Sequence, residues 1–321
     1  MTCAKCAYLQ MLRVSSQSIK YGISFALLAA LLIRADISSM FADLAHAAVG
    51  ALAIAFFLAV SQVFITTARW YMLLRAMNIA VPLRDAMEVN VLGILANTLL
   101  VNVVGGVATR LTLLAGMGVP STKTLASIVI ERMLILFVLL VMAASGLYWL
   151  HWPLEYRAVL PSGLLIAGAG ILVLTGFVAL QSGLLRRWAE RAIEYLHRTL
   201  SELQGIVSHR LTLGGALVLT VLNQVVLVVM GVVVAAAVGI QVPVFDLLML
   251  LPTVSLLSSL PLSAGGFGVR EVSLVVSLSV FGVPTEQALL MSIILGLLSL
   301  LGALVTGVFA LGVKVVADGA K

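Results

Sequence analysis

Residues 104–110 read Val104-Gly105-Gly106-Val107-Ala108-Thr109-Arg110, and residues 264–270 read Ala264-Gly265-Gly266-Phe267-Gly268-Val269-Arg270. Each places a glycine pair just before an arginine, inside an otherwise apolar block, 83–118 or 246–282. The likeness continues outward. Val81-Pro82 is echoed by Val242-Pro243, Asp85 by Asp246, and Gly118-Val119-Pro120 by Gly282-Val283-Pro284. The offsets are 161, 161 and 164 residues, against 160 for the glycine pairs. Four matches in order at a nearly constant offset indicate an internal duplication. Two readings of the glycine pairs stand side by side. Glycine permits a turn that breaks a helix, or it lets two helices pack tightly.

The rest of the chain sets the solvent. Of 321 residues, 62% are hydrophobic and 10% charged, whereas soluble domains carry about 25% charged residues. Apolar blocks at about 21–40, 48–68, 124–150, 158–181, 211–238 and 286–316 reach the roughly 20 residues that cross a bilayer as a helix. The short alternating segments of a β-barrel are absent from the sequence. The expected fold is an all-α polytopic transmembrane helical bundle, with about six full spans plus two Gly-Gly-broken re-entrant segments in inverted repeats. The expected layout is an N-terminal tail (1–20), one transmembrane domain (21–316) and a short C-terminal tail (317–321). Within that domain, repeat 1 covers about 48–181, a basic linker 184–210, and repeat 2 about 211–316. Arg34 and Asp36 separate the first apolar run from Ala45-His46-Ala47, so an uncleaved first helix is expected.

Charge gives the orientation. If both broken blocks return to the side they enter from, 15 of the 19 basic residues fall on the side of the termini. Arg34, Arg157 and Arg270 fall on the other side, and Arg132 lies within a span. The positive-inside rule then makes both termini and the 184–210 segment cytoplasmic, in a bacterial inner membrane. It also makes the two copies inverted, a recurring transporter plan. The 184–210 segment reads either as a surface helix on anionic headgroups or as a plain basic linker. The net charge of +6 is thus topological, and no nucleic-acid partner is expected.

Charged groups inside a bilayer are functional candidates. Glu131-Arg132 lies within the 124–150 block; neighbours i and i+1 do not face each other on a helix, so each reads as having a partner elsewhere, in a polar gate, a headgroup contact or a structural inter-helix ion pair. Arg110 and Arg270, each just past a glycine pair, read as phosphate sites at helix N-termini or as interfacial snorkelling arginines. Glu271 adds a carboxylate beside Arg270. Asn90, Asn97 and Asn102 in the first block, and Ser255, Ser258, Ser259 and Ser263 in the second, are polar groups suited to a cavity. Cys3 and Cys6 have no second ligand pair, so no metal site is expected. No nucleophile-and-base set or nucleotide loop is present, so neither a cofactor nor enzymatic activity is expected.

Leu260-Pro261-Leu262-Ser263-Ala264-Gly265-Gly266-Phe267-Gly268-Val269-Arg270-Glu271 resembles the C-terminal signature of the lysylphosphatidylglycerol synthase transmembrane-domain, flippase-like family. Members read Leu-Pro-x-Ser-x-x-Gly-x-Gly-x-Arg-Glu there. Glu131-Arg132, Arg69-Trp70 followed by Leu73-Leu74, and Asn97 with Gly105-Gly106 and Arg110 match its other motifs in order, over about residues 20–316. Two features depart from the pattern. No proline precedes the first glycine pair, and no acidic residue follows Glu131-Arg132 in its helix. The resemblance implies a membrane protein that moves polar or anionic lipids between leaflets, possible partners being lipid-biosynthesis proteins. It implies that Arg69, Asn97, Gly105, Gly106, Arg110, Glu131, Arg132, Ser263, Gly265, Gly266, Arg270 and Glu271 contact the lipid. A membrane scaffold of a lipid- or glycan-synthesis complex is the alternative.

Overall fold

A computed structural model describes residues 47–99, 104–149, 210–259 and 268–318, together with Met40. Among the described residues every element is a helix. In order these are α1 (Val49–Ala76), α2 (Leu83–Leu99), α3 (Val104–Gly116), α4 (Ser121–Trp149), α5 (Arg210–Ala237), α6 (Val244–Ser258), α7 (Val269–Ser279) and α8 (Thr285–Asp318). Helices α1, α4, α5 and α8 are long and apolar enough to cross a membrane. The expected spans at 21–40 and 158–181 and the linker at 184–209 lie outside the described residues.

The burial pattern is that of a protein dissolved in lipid. Phe57, Phe64, Phe137, Val308 and Phe309 are exposed, whereas Arg69, Asn90, Arg110, Glu131, Gln224 and Glu271 are buried. In hydrocarbon, polar groups find partners only inside the bundle.

The order long, short, short, long occurs twice, as α1–α4 and α5–α8. The loops repeat as well. Asn78 and Gly239, 161 residues apart, both have positive φ, as do Gly118 and Gly282. Each ends its helix in the same way. Ile79 N–H bonds Leu74 O, Ile240 bonds Ala235 O, Val119 bonds Leu114 O and Val283 bonds Leu278 O. That six-to-one bond closes a Schellman motif, which needs a left-handed residue.

The two copies are inverted. Arg69 Nη1 reaches Thr220 Oγ1, and Met72 lies against Gly215. Residue numbers therefore rise along α1 as they fall along α5, so these corresponding helices run antiparallel. The packing exchanges as a two-fold requires: α4 packs on α6, and α8 packs on α2.

Helices α2 and α3 form a re-entrant hairpin. At about 1.5 Å per residue, their 17 and 13 residues give about 25 and 20 Å, short of the roughly 30 Å hydrocarbon layer. Gly106 N–H donates to Asn97 Oδ1 at 2.7 Å, and Arg110 lies against Gly93, so the helices lie side by side and antiparallel. Helix α2 ends at Leu99 and α3 begins at Val104, so Gly105-Gly106 open α3. Packing requires the second glycine. A Cβ on Gly106 would stand 2.5 Å from Asn97 Oδ1 and 2.6 Å from the Gly93 carbonyl oxygen. In the second copy α6 ends at Ser258, and Gly268, with φ 89°, precedes α7. Gly265, Gly266 and Ser263 lie outside the described residues.

Candidate functional site

Two arginine clusters occupy corresponding places in the two copies. In the first, Glu131 on α4 is 3% exposed and binds two guanidinium groups. Arg69 Nη2 of α1 donates to its Oε1 at 2.7 Å, and Arg110 Nη1 of α3 donates to Oε2. Arg110 Nη2 donates to Asn90 Oδ1 at 2.5 Å, and Asn90 Nδ2 donates to Thr67 Oγ1 at 2.8 Å. The Arg110 guanidinium also sits 4.5 Å over the Trp70 ring, a favourable cation–π distance. Trp70 Nε1–H donates to Ser127 Oγ at 3.2 Å. One carboxylate thus ties α1, α3 and α4 together, and two cations share it.

This arrangement revises the expected phosphate site at the N-terminus of α3, and it places Glu131 in an inter-helix ion pair, the structural alternative read from the sequence. Arg110 is the seventh residue of α3 rather than part of its first turn, so its anchor is Glu131 and the helix N-terminus plays no part. Arg132, adjacent to Glu131, points elsewhere, since neighbours i and i+1 on a helix do not share a face. It makes no hydrogen bond or ion pair among the described residues, and its Nε is buried and unpaired.

The second cluster lies at the start of α7. Arg270 Nη2 donates to Glu271 Oε1 at 2.6 Å, and its Nε lies 3.2 Å from Ser292 Oγ of α8. Glu271 is 1% exposed. Its Oε2 accepts from the Gly268 N–H at 2.5 Å, and its Oε1 from Ser292 at 3.3 Å. A carboxylate at this N-terminal position bonds back to the backbone as in a capping box. Gly296 leaves the seat for the guanidinium, since a Cβ there would stand 2.5 Å from Arg270 Nη2.

Arg270 also lines a cavity of about 260 Å³. Ser255, Ser258, Ser259, Ser292 and Ser299 line it together with Leu227, Met230, Leu251, Val254, Leu274 and Leu295. Such an amphipathic cavity suits a molecule with a polar end and an apolar stem.

Of the sequence candidates, Arg69, Arg110 and Glu131 meet in one cluster, and Arg270 and Glu271 in the other. Asn97 and Gly106 hold the α2–α3 hairpin. Asn90, read from the sequence as a polar group suited to a cavity, joins the first cluster, whereas Trp70, Thr220, Ser292 and Gln224 were not among those site candidates. Asn223-Gln224 was readable as two adjacent amides in the middle of an apolar helix; the others needed the tertiary structure.

No curated protein matches the chain. A family model, lysylphosphatidylglycerol synthase TM region, matches residues 17–307. The chain is therefore an integral membrane protein of the lysylphosphatidylglycerol synthase TM region family.

Proposed function

We propose that this protein is a transporter rather than an enzyme, and that it moves lipids with anionic or polar headgroups between the leaflets of the bacterial inner membrane. The family points to membrane-lipid function. The observation that carries the finer reading is the pair of arginine clusters in inverted copies. Inversion turns the two toward opposite leaflets, one site for each.

The second cluster binds the headgroup. Arg270 can leave Glu271 for a lipid phosphate without stranding the carboxylate, because Glu271 keeps the Gly268 N–H and the Ser292 hydroxyl. An unsatisfied buried acceptor would make that exchange costly. The guanidinium fork grips phosphate in bidentate fashion, the serines of the lining take the remaining oxygens, and its apolar side chains take the acyl stem. In the first cluster Arg69 and Arg110 share Glu131 alone, which leaves one positive charge in excess. An approaching anion is favoured there. Both termini are cytoplasmic in this reading.

The test is translocation of fluorescent phosphatidylglycerol in proteoliposomes, read by chemical quenching of the outer leaflet. Arg270→Ala should lower the rate by about one to two orders of magnitude, the equivalent of one charge-assisted bond. Wild-type rates in Arg270→Ala would remove the phosphate role. No movement of any lipid class by the wild type would favour a scaffold of a lipid-synthesis complex.

A further inference from the structure

Gln224 stands near the middle of the 28 residues of α5, and so near the bilayer midplane. It is 5% exposed, and its side chain makes no hydrogen bond among the described residues, with Oε1 both buried and unpaired. A buried polar group without a partner is rare and calls for an explanation. In hydrocarbon no water can serve as that partner.

Its neighbours on the helix give one. Residues three and four apart share a helix face. One turn before Gln224 is Thr220, whose hydroxyl oxygen accepts from Arg69 of the first cluster at 3.5 Å. Almost one turn after it is Leu227, which lines the cavity that holds Arg270. Gln224 therefore lies on the face of α5 that joins the two arginine clusters, between the headgroup sites of the opposite leaflets.

We propose that Gln224 is the midplane contact for the headgroup in transit, and that its free carbonyl oxygen selects headgroups carrying a hydrogen-bond donor. This rests on the transport reading above. The arginines hold the phosphate at either end of the path. Between them the headgroup has left one guanidinium before meeting the next. A hydroxyl or ammonium donor beyond the phosphate bonds Gln224 Oε1 there and lowers the midplane barrier. A quaternary ammonium has no N–H or O–H and gains nothing.

The experiment compares translocation of phosphatidylglycerol, phosphatidylethanolamine and phosphatidylcholine by wild type and Gln224→Leu in proteoliposomes. Wild type should move one or both of the first two about tenfold faster than phosphatidylcholine, one hydrogen bond's worth of barrier. Which of them moves identifies hydroxyl or ammonium as the donor. Gln224→Leu should lose that preference while melting no lower than wild type, because it removes an unpaired buried amide. Gln224→Met, closer in shape, replaces it if the leucine variant is poorly folded. Equal movement of all three lipids by the wild type would overturn the proposal and leave transport standing, as would a wild-type preference in a folded variant. A wild type that moves none of them would overturn transport itself and this proposal with it.

Discussion

Arg69 Nη2 lies 2.7 Å from Glu131 Oε1, a contact between α1 and α4 across 62 residues of sequence. Both side chains are almost wholly buried, and Arg110 binds the other carboxylate oxygen. The single anion is the hub. Glu131→Leu leaves two buried guanidinium groups without their counter-charge and should destabilise the protein by about 3–5 kcal/mol. Arg69→Leu leaves Glu131 still bound to Arg110 and should cost less. Arg132→Leu removes a group with no partner among the described residues and should cost least. Thermal unfolding in detergent gives the order, and an unchanged midpoint for Glu131→Leu would refute the hub.

A melting series should separate helical glycines that meet backbone from those that meet nothing. Gly302 of α8 meets the backbone of α1, where an added Cβ would be 3.0 Å from the Ala59 carbonyl carbon. Gly146 of α4 would place one 2.8 Å from the Met249 carbonyl oxygen of α6. Backbone cannot move aside as a side chain can, so alanine at either should force the helices apart, at about 1–3 kcal/mol. Gly214, in α5, has nothing within 4 Å of the same position. Alanine there should be neutral or stabilising by up to about 1 kcal/mol, from helix propensity alone. A destabilised Gly214→Ala together with an unaffected Gly302→Ala would contradict the packing of α8 on α1.

What could be read from the sequence follows from the range of the interactions. Long apolar blocks and left-handed loop residues are local features. Hence α1, α4, α5 and α8 sit where hydropathy placed spans, and Gly118 and Gly282 mark equivalent loops. Asn78 escaped notice as the partner of Gly239 because asparagine also tolerates positive φ, and the two do not match as letters. The glycine pair at 105–106 was legible as important, but packing and breaking leave the same mark in a sequence. Partner choice was not legible. Glu131 sits next to Arg132 in the chain, yet it binds Arg69 and Arg110, 62 and 21 residues away. Only the packing of α1 and α3 against α4 decides that.

The loops at 77–82 and 117–120 lie on one face. Lys123 Nζ reaches the Met77 carbonyl oxygen at 3.3 Å, and Thr212 shares a groove with Arg75 and Asn78. Arg75, Arg84, Lys123 and Arg210 gather near that face. Loops 238–243 and 280–284 lie at the other ends of the helices, beside Asp246 and Glu286. With basic residues inside, a cysteine at exposed Met117 should resist an impermeant maleimide in intact cells. One at exposed Gln241 should react, after Cys3 and Cys6 are replaced. The reverse pattern would invert the topology.

Gly296→Ala offers a test of the Arg270 seat that leaves the arginine in place. The added Cβ would stand 2.5 Å from Nη2 and 2.9 Å from Nη1, closer than atoms tolerate. The obstructed atoms are the end of a flexible side chain, so the fold should survive and the guanidinium should shift. It would then lose alignment with Glu271 Oε1 and with an incoming phosphate. Translocation should fall about tenfold, the loss of roughly 1.4 kcal/mol. Arg270→Lys should fall by a similar amount for another reason, because an ammonium lacks the planar fork. The double variant discriminates. Lysine is slimmer at its tip and does not need the space that Gly296 leaves, so Arg270→Lys with Gly296→Ala should be no slower than Arg270→Lys alone. Residues that share one seat are non-additive in this way, whereas independent sites add. A hundredfold loss in the double variant would mean that Gly296 acts apart from Arg270. Wild-type rates in Gly296→Ala would mean that the position of this guanidinium does not limit transport.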